Sequence, residues 1–422
     1  MASATPIIDP QRLGAIMEAF TAFGGTSDGG MHRLALSAED GAARDALTAW
    51  MRREGLAVTI DPMGNIFGLL DLAGPDAPTV MTGSHLDSQP HGGRLDGAYG
   101  VLAACEAMLT VRDRLASEGA RPRCNLAVVD WTNEEGARFQ PSILGSSVFA
   151  GLLDRDDALS RRDGDGISVA EALAAIGYAG TGTFPRPQAY VELHVECNGV
   201  LEAKGLRFGA ITRHWGAIKY RLAFIGRQAH TGATPMGERR DALLGAARLI
   251  ERIRGLADGT RDILHTSVGR LEVRPNSPNV VPGEAVMFIE LRSADQATMD
   301  RAEAEMLRAV EAIAAETGLT SEVRAIDRRA VGHFDPGLIA IATAEARALG
   351  EPTERLDCAA ANDANCMIPL CPSVVLNVPS IGGLCHHPDE ATAQSDLELG
   401  TDLLARVLLR LVRDGLPAGR AS

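Results

Sequence analysis

Between residues 56 and 196 lie the short apolar runs LAVTID, NIFGLLDL, TVMTGSHLD, NLAVVDW and AYVELHVE, and several of them stop at a histidine or a carboxylate. Helix-patterned stretches such as GAYGVLAACEAMLTVRDRLASEG separate them. Runs this short, apolar or alternating, read as strands, and strands alternating with helices favour a mainly parallel sheet covered on both faces. In such a doubly wound α/β fold, ligands gather at the carboxyl ends of the strands. Two helices precede this region. The first is DPQRLGAIMEAFTAF; the second, SAEDGAARDALTAWMRREG, has Ser37 ahead of Asp40 as an N-cap and Gly55 at its end.

The rhythm changes near residue 213. A strand (KYRLAFIG), a helix (DALLGAARLIERIRGLADG), two strands (LHTSVGRLEVRP and AVMFIELRS), a helix (ATMDRAEAEMLRAVEAIAAETG) and a strand (SEVRAIDRRA) follow in the β-α-β-β-α-β order of a ferredoxin-like unit. After about residue 334 the helix-strand alternation resumes with GLIAIATAEARALG and PSVVLNVPS. The expected organisation is therefore a catalytic domain from 1–212 and 334–422, with a smaller α+β domain, 213–333, inserted into it.

Among these runs sit residues of the metal-ligand type: His85, Asp87 and Asp96 in GSHLDSQPHGGRLDGAYG, the adjacent pair Glu134 and Glu135 after NLAVVDW, His194 in VELHVE, and His386-His387 near the end. Each alone has an ordinary explanation, as a surface histidine, a turn aspartate between glycines or an acidic loop. Jointly they suit zinc and its first-row neighbours, and a carboxylate able to bridge two ions is what a binuclear hydrolytic centre requires. Two neighbouring glutamates are costly to hold together unless a cation or shared proton relieves them, which suggests that one ligates while the other moves protons. In His85-Leu86-Asp87 the aspartate could orient the imidazole from behind.

Composition excludes several other functions. A net charge of -14, with no basic run, opposes binding along a nucleic-acid backbone. The seven cysteines form no Cys-x-x-Cys pair and are odd in number, as expected for reduced, mostly buried thiols in the cytoplasm. No uninterrupted apolar stretch is long enough to span a bilayer, and MASATPIIDPQRLGAIMEAF lacks the pattern of a secretory leader.

The motifs GGMHRLALSAEDGAARDALTAWM, DPMGNIFG, GSHLDSQPHGGRLDGAYGVLAACEA, TNEEGARF, ELHVE, HTGATPMGERRDAL, NSPNVVPGE and HHPDEAT cover nearly the whole chain. In this order they resemble the dinuclear-metal amidohydrolases that include N-carbamoyl-L-amino-acid hydrolase, allantoate amidohydrolase and β-ureidopropionase, relatives of aminoacylases and carboxypeptidase G. The resemblance implies two divalent ions, zinc foremost, with manganese, cobalt or nickel as alternatives. His85, Asp96 and His194 would hold one ion, and Asp96, Glu135 and His386 the other, with Asp96 bridging. Glu134 would be the general base, taking a proton from the attacking water and later delivering it to the leaving nitrogen. Asp87 would orient His85. The inserted domain would act as a lid and dimerisation unit, with Arg292 on the substrate carboxylate, Asn279 binding substrate, and His230 stabilising the tetrahedral oxyanion across a homodimer interface.

The chain also departs from that pattern. Glu196-Cys197-Asn198 stands for Glu-Gln-Gly, Asn362-Asp363-Ala364 for His-Asp-Ala, and a glutamine that grips ureido groups is replaced near Ala217. Loss of these donors weakens selectivity for a carbamoyl headgroup, and His214-Trp215 could line a pocket for a bulkier, flatter acyl group. The expected activity is hydrolysis of the linear C-N bond of an N-carbamoyl or N-acyl amino acid. The alternatives are a dipeptidase or aminoacyl-conjugate hydrolase, and a catalytically silent protein that captures carboxylates.

Overall fold

Asp9 and Ser37 start the first two helices as side-chain caps. Asp9 accepts from Gln11 and Arg12 N–H ahead of Pro10–Thr21, and Ser37 accepts from Asp40 N–H ahead of Ala38–Arg53. The computed structural model describes residues 6–416; residues 1–5 and 417–422, the outer ends of the expected domain 1–212 and 334–422, lie outside the described residues. The chain divides into two units, one of Met1–Thr212, His333–Leu356 and Ala361–Ser422, the other of Arg213–Gly332 and Asp357–Ala360.

At the centre of the first unit four strands run parallel in the order Asn125–Trp131, Thr79–His85, Ala189–Val195, Ser373–Val378. Every residue of these four is buried, as expected for strands covered on both faces. The helices Ala98–Glu118 and Gln394–Asp414 supply part of that cover, and the first is buried continuously from Ala98 to Val111. At one margin the strand direction reverses: Ala57–Ile60, Ile66–Leu70 and Asn125–Trp131 are antiparallel neighbours. A tight turn joins the first two, closed by Asp61 N–H to Asn65 O at 3.1 Å, and leaves no room for the crossover that parallel pairing needs. The sheet is thus parallel at its centre and antiparallel at this margin, and on the other side Ser373–Val378 also pairs antiparallel with Gly209–His214.

The second unit is a four-stranded antiparallel sheet in the order Thr320–Arg329, Gly216–Ile225, Glu284–Ser293, Leu264–Arg274. The helices Ala242–Gly255 and Gln296–Thr317 pack on it around Leu222, Phe224, Leu249, Met287 and Met306. A short ribbon, Ala229–His230 paired with Val280–Val281, stands beside it and has no clear signal in the sequence, because two residues carry no periodicity.

Candidate metal centre

His85 is the last residue of its strand and His194 the next-to-last of its own, so both imidazoles emerge at carboxyl ends. The ring Nδ1 of His85 lies 2.9 Å from the Asp87 carbonyl oxygen, and that of His194 lies 2.7 Å from the Val195 carbonyl. Each contact is one that a proton on Nδ1 can make, and it turns Nε2 toward Asp96, where that nitrogen can donate to the carboxylate or, once deprotonated, offer its lone pair to a cation. His85 Nε2 is 3.8 Å and His194 Nε2 3.1 Å from Asp96 Oδ1. On the other side of the same carboxylate, His386 Nε2 is 3.2 Å from Asp96 Oδ2 and 3.2 Å from Glu135 Oε2. Each oxygen of Asp96 therefore faces its own set of donors. The triads His85, Asp96, His194 and Asp96, Cys385, His386 could each hold a cation.

Two glycines permit this closeness. Gly97 has φ of 66°, and a Cβ there would stand 2.2 Å from the His85 ring; a Cβ on Gly93 would stand 2.1 Å from the Glu390 carboxyl carbon. Glu390 holds the Asp96 loop, accepting from Leu95 N–H at 2.9 Å and Asp96 N–H at 3.0 Å. The glutamate pair sits on a turn that begins with Asn133 at φ 56°, and the Asn133 amide donates to Phe139 O at 2.9 Å. Glu134 Oε2 reaches within 3.6 Å of His85 Nε2.

Asp87 meets His85 through its backbone. Its carbonyl lies 2.9 Å from the His85 ring, while its carboxylate, 3.7 Å from that ring, accepts from Glu134 N–H at 3.1 Å and Glu135 N–H at 3.3 Å. At 3.7 Å the carboxylate faces the imidazole as a charge and not as a hydrogen-bond acceptor, and its hydrogen bonds clamp the glutamate turn. Behind it, Arg33 donates to Leu86 O at 2.6 Å and Asp130 accepts from Leu86 N–H at 2.9 Å. Buried Arg44 pairs with Asp40 at 2.8 Å and donates to Gly64 O at 2.7 Å.

Electrostatics describe a site built for positive charge. Burial, then the negative charges of Asp363, Glu135, Asp96 and Asp87, push Glu134 well above the usual carboxyl range. Burial works against ionised Asp96 too, but hydrogen bonds from His194 and His386 hold it well below its ordinary value. Hydrogen bonds to Asp96 and Glu135 push His386 up to about 11. Imidazoles that face a carboxylate on both sides, beside further buried carboxyls, are the N,O donor set of a borderline cation. The residues fit a pair of divalent ions.

The residues that the resemblance names for substrate binding lie in the second unit. His230 is exposed, and its Nδ1 accepts from Gly232 and Ala233 N–H at 3.0 and 3.1 Å. Asn279 immediately precedes the ribbon strand Val280–Val281, and its carbonyl accepts from Thr231 N–H at 3.3 Å. Arg292 lies opposite Ala217 in register on the neighbouring strand and pairs with Glu290 at 2.9 Å. Trp215 packs on His265, ring centroids 4.7 Å apart, and His265 is the cross-strand partner of Arg292 on the other side.

Residues 81–410 match the sequence profile of peptidase family M20/M25/M40. The chain belongs to this family. The chain is 34% identical to the N-carbamoyl-L-amino-acid amidohydrolase of Rhizobium meliloti, over 90% of this chain and 91% of that one. It is 44% identical to a Mycolicibacterium smegmatis protein whose name goes no further than hydrolase, over 95% and 92% of the two chains. The crystal structure of an amidase of the hydantoinase/carbamoylase family from Burkholderia vietnamiensis superposes with a TM-score of 0.92 at 36% identity, covering 99% of this chain and 100% of that one.

Several members of this M20 site escaped the sequence reading. Glu390 stood inside the quoted HHPDEAT motif, yet its partners are Leu95 and Asp96, about three hundred positions away. Glu192, two residues before His194 on the same strand, accepts from Ser84 Oγ and Ala364 N–H, both at 2.7 Å. Cys385, which precedes His386, had no motif to mark it.

Proposed function

We propose that this chain is a metal-dependent amidohydrolase that cleaves the linear C-N bond of an N-carbamoyl or N-acyl amino acid. The observation that carries the reading is the two-sided exposure of Asp96, one oxygen toward His85 and His194, the other toward His386 beside Glu135. His85, Asp96 and His194 would hold one ion and Asp96, Glu135 and His386 the second, and the ions, zinc first among zinc, manganese, cobalt and nickel, would supply Lewis-acid activation of water and carbonyl.

The side chains do the rest. Glu134 Oε2 takes the proton of the attacking water and passes it to the departing nitrogen, and its raised affinity for a proton suits both steps. Asp87 fixes the glutamate turn through two backbone hydrogen bonds. The second unit acts as the lid. Because His230 Nδ1 already accepts two N–H groups, its Nε2 carries the proton and can donate to an oxyanion. Arg292 grips the substrate carboxylate, and Asn279, just before the ribbon strand that pairs with His230, binds the substrate alongside. The names of the relatives support a carbamoyl substrate; Ala217 opposite Arg292, with Trp215 and His265 nearby, supports a flatter acyl group. We place the enzyme in the cytoplasm as a homodimer whose lid residues serve the partner's site. No helix among the described residues is long and apolar enough to cross a membrane.

Elemental analysis coupled to a panel of N-carbamoyl amino acids, N-acyl amino acids and dipeptides on metal-reconstituted protein tests this. Turnover of the first two classes, with about two ions per chain, is expected. Preference for dipeptides, or ions bound without turnover, contradicts it.

A further inference from the structure

Cys197 stands three residues after His194, and Cys385 immediately before His386. Although 188 positions apart in sequence, their Sγ atoms are 2.7 Å apart. Cys385 Sγ is also 3.0 Å from Asp96 Oδ2. The other five cysteines are buried, whereas the two that meet are only partly so. Both occupy irregular backbone, one in the turn behind the Ala189–Val195 strand and one in the loop after Ile381–Gly383. A disulfide bond is about 2.0 Å long, so closure needs an approach of about 0.7 Å, small for segments outside strand and helix.

We propose that Cys197 and Cys385 are a redox-modification site, at which a hydroperoxide closes a reversible disulfide that ties the turn behind His194 to the His386 loop and loosens the centre's hold on its cations. The chemistry balances in two steps. One thiol sulfur takes an oxygen atom from the peroxide, the O–O bond breaks, and the reduced oxidant leaves as water or an alcohol. The second thiol sulfur then attacks the resulting sulfenic acid, the S–S bond forms, the S–O bond breaks, and a second water carries off the hydroxyl with the remaining thiol proton. Two electrons pass to the peroxide. A small dithiol reverses the bond by exchange.

The consequence follows from what the thiols touch. Oxidation removes the S–H beside Asp96 Oδ2 and draws Cys385 toward Cys197, displacing the neighbouring His386 from its 3.2 Å approaches to Asp96 and Glu135. A shift of this size is enough to lose a ligand, because metal–nitrogen bonds vary by only about 0.2 Å. Loss of activity on oxidation rests on the amidohydrolase reading; the bond and the cation hold do not.

The test uses the full-length chain loaded with zinc, treated with hydrogen peroxide, blocked with an alkylating agent, digested, and read by mass spectrometry. A cross-linked pair of peptides containing Cys197 and Cys385, two hydrogens lighter than their sum and separated by dithiothreitol, is expected. Cys197→Ser and Cys385→Ser should each abolish it. Zinc retention against a chelator should fall about tenfold on oxidation and return with dithiothreitol, while Cys197→Ser keeps the same ratio of oxidised to reduced retention near one. Hydrolysis of the best substrate should follow zinc retention. No cross-link, or a cross-link with unchanged zinc retention, overturns the proposal. If the reduced protein hydrolyses nothing on the panel, the proposed activity fails while the peptide map and chelator assay still decide the switch.

Discussion

The interior carboxyls of the first unit and the carboxyls of the second are held in opposite ways. In the first, burial drives Asp61, Asp87, Asp130 and Glu134 upward, and for the last three nearby carboxylates add to the push. In the second, Glu284, Glu290 and Glu303 are held below their ordinary value because arginines offset the cost of burial: Arg324, Arg292 and Arg328 respectively. The first unit crowds carboxyls beyond what Arg44 and the imidazoles beside Asp96 offset, while in the second each of these three glutamates meets an arginine. The difference teaches where cations belong. A protein interior tolerates clustered carboxyls only at a cost, and a site that keeps them, with three imidazoles turned toward them, is shaped for ions.

The contrast can be broken most sharply at the base. Glu134→Gln should lower kcat by about 10^3-fold with metal content unchanged, since it removes proton transfer while leaving the ligands in place. Steady-state kinetics with elemental analysis check this, and near-normal turnover would strip Glu134 of its role.

Next in size is a stability comparison. Arg44→Met should cost about 3–5 kcal/mol in denaturant melts, because it leaves Asp40 and Asp130 buried without their cation. Arg328→Ala, whose partner Glu303 is met at the surface of the second unit, should cost about 1 kcal/mol or less. Equal costs would erase the distinction between the units.

The two units should also answer pH in opposite directions. Asp61 binds its proton with a pKa of about 6 against an ordinary 3.8, so its contribution to stability is complete below about pH 4 and is lost as pH rises through 6. Glu303 is lowered, so its contribution is present above its ordinary value of 4.5 and is lost as pH falls. The stability of wild type relative to Asp61→Asn should therefore fall by up to about 3 kcal/mol between pH 4 and 6, and that relative to Glu303→Gln should rise; parallel trends would refute the assignment. Below these in size, Asp87→Asn should lower activity by about 10-fold to 100-fold, through the loosened glutamate turn rather than a freed imidazole. A reduced kcat with a weakened hold on the ion beside Glu135, and the ion between His85 and His194 retained, would match the clamp seen here. The smallest effect expected is that of Arg292→Ala, about tenfold in KM for carboxylate substrates and less for amidated analogues.

Much of this was legible in the sequence because strand and helix periodicities and strand-end ligands are local. TVMTGSHLD, NLAVVDW and AYVELHVE contain three of the buried central strands, and His85 and His194 at two of their ends meet Glu134 from the turn after the third. The β-α-β-β-α-β order of the second unit was visible for the same reason. What escaped depends on remote partners. Asp87 sits two residues from His85, but its carboxylate answers a turn nearly fifty residues later. Arg33 and Arg44 look like polar helix or loop residues until Leu86, Asp40 and Asp130 are placed against them. Cys197 was noticed only as a departure from a familiar pattern, since nothing local brings Cys385 to it.

The central claim is that Asp96 bridges two cations, and anomalous diffraction at the metal absorption edge, on crystals of metal-loaded protein, tests it most directly. Two peaks about 3.5–4 Å apart, one toward His85 and His194 and the other toward Glu135 and His386, are expected. A single peak, or peaks that leave Asp96 unliganded, would contradict the claim.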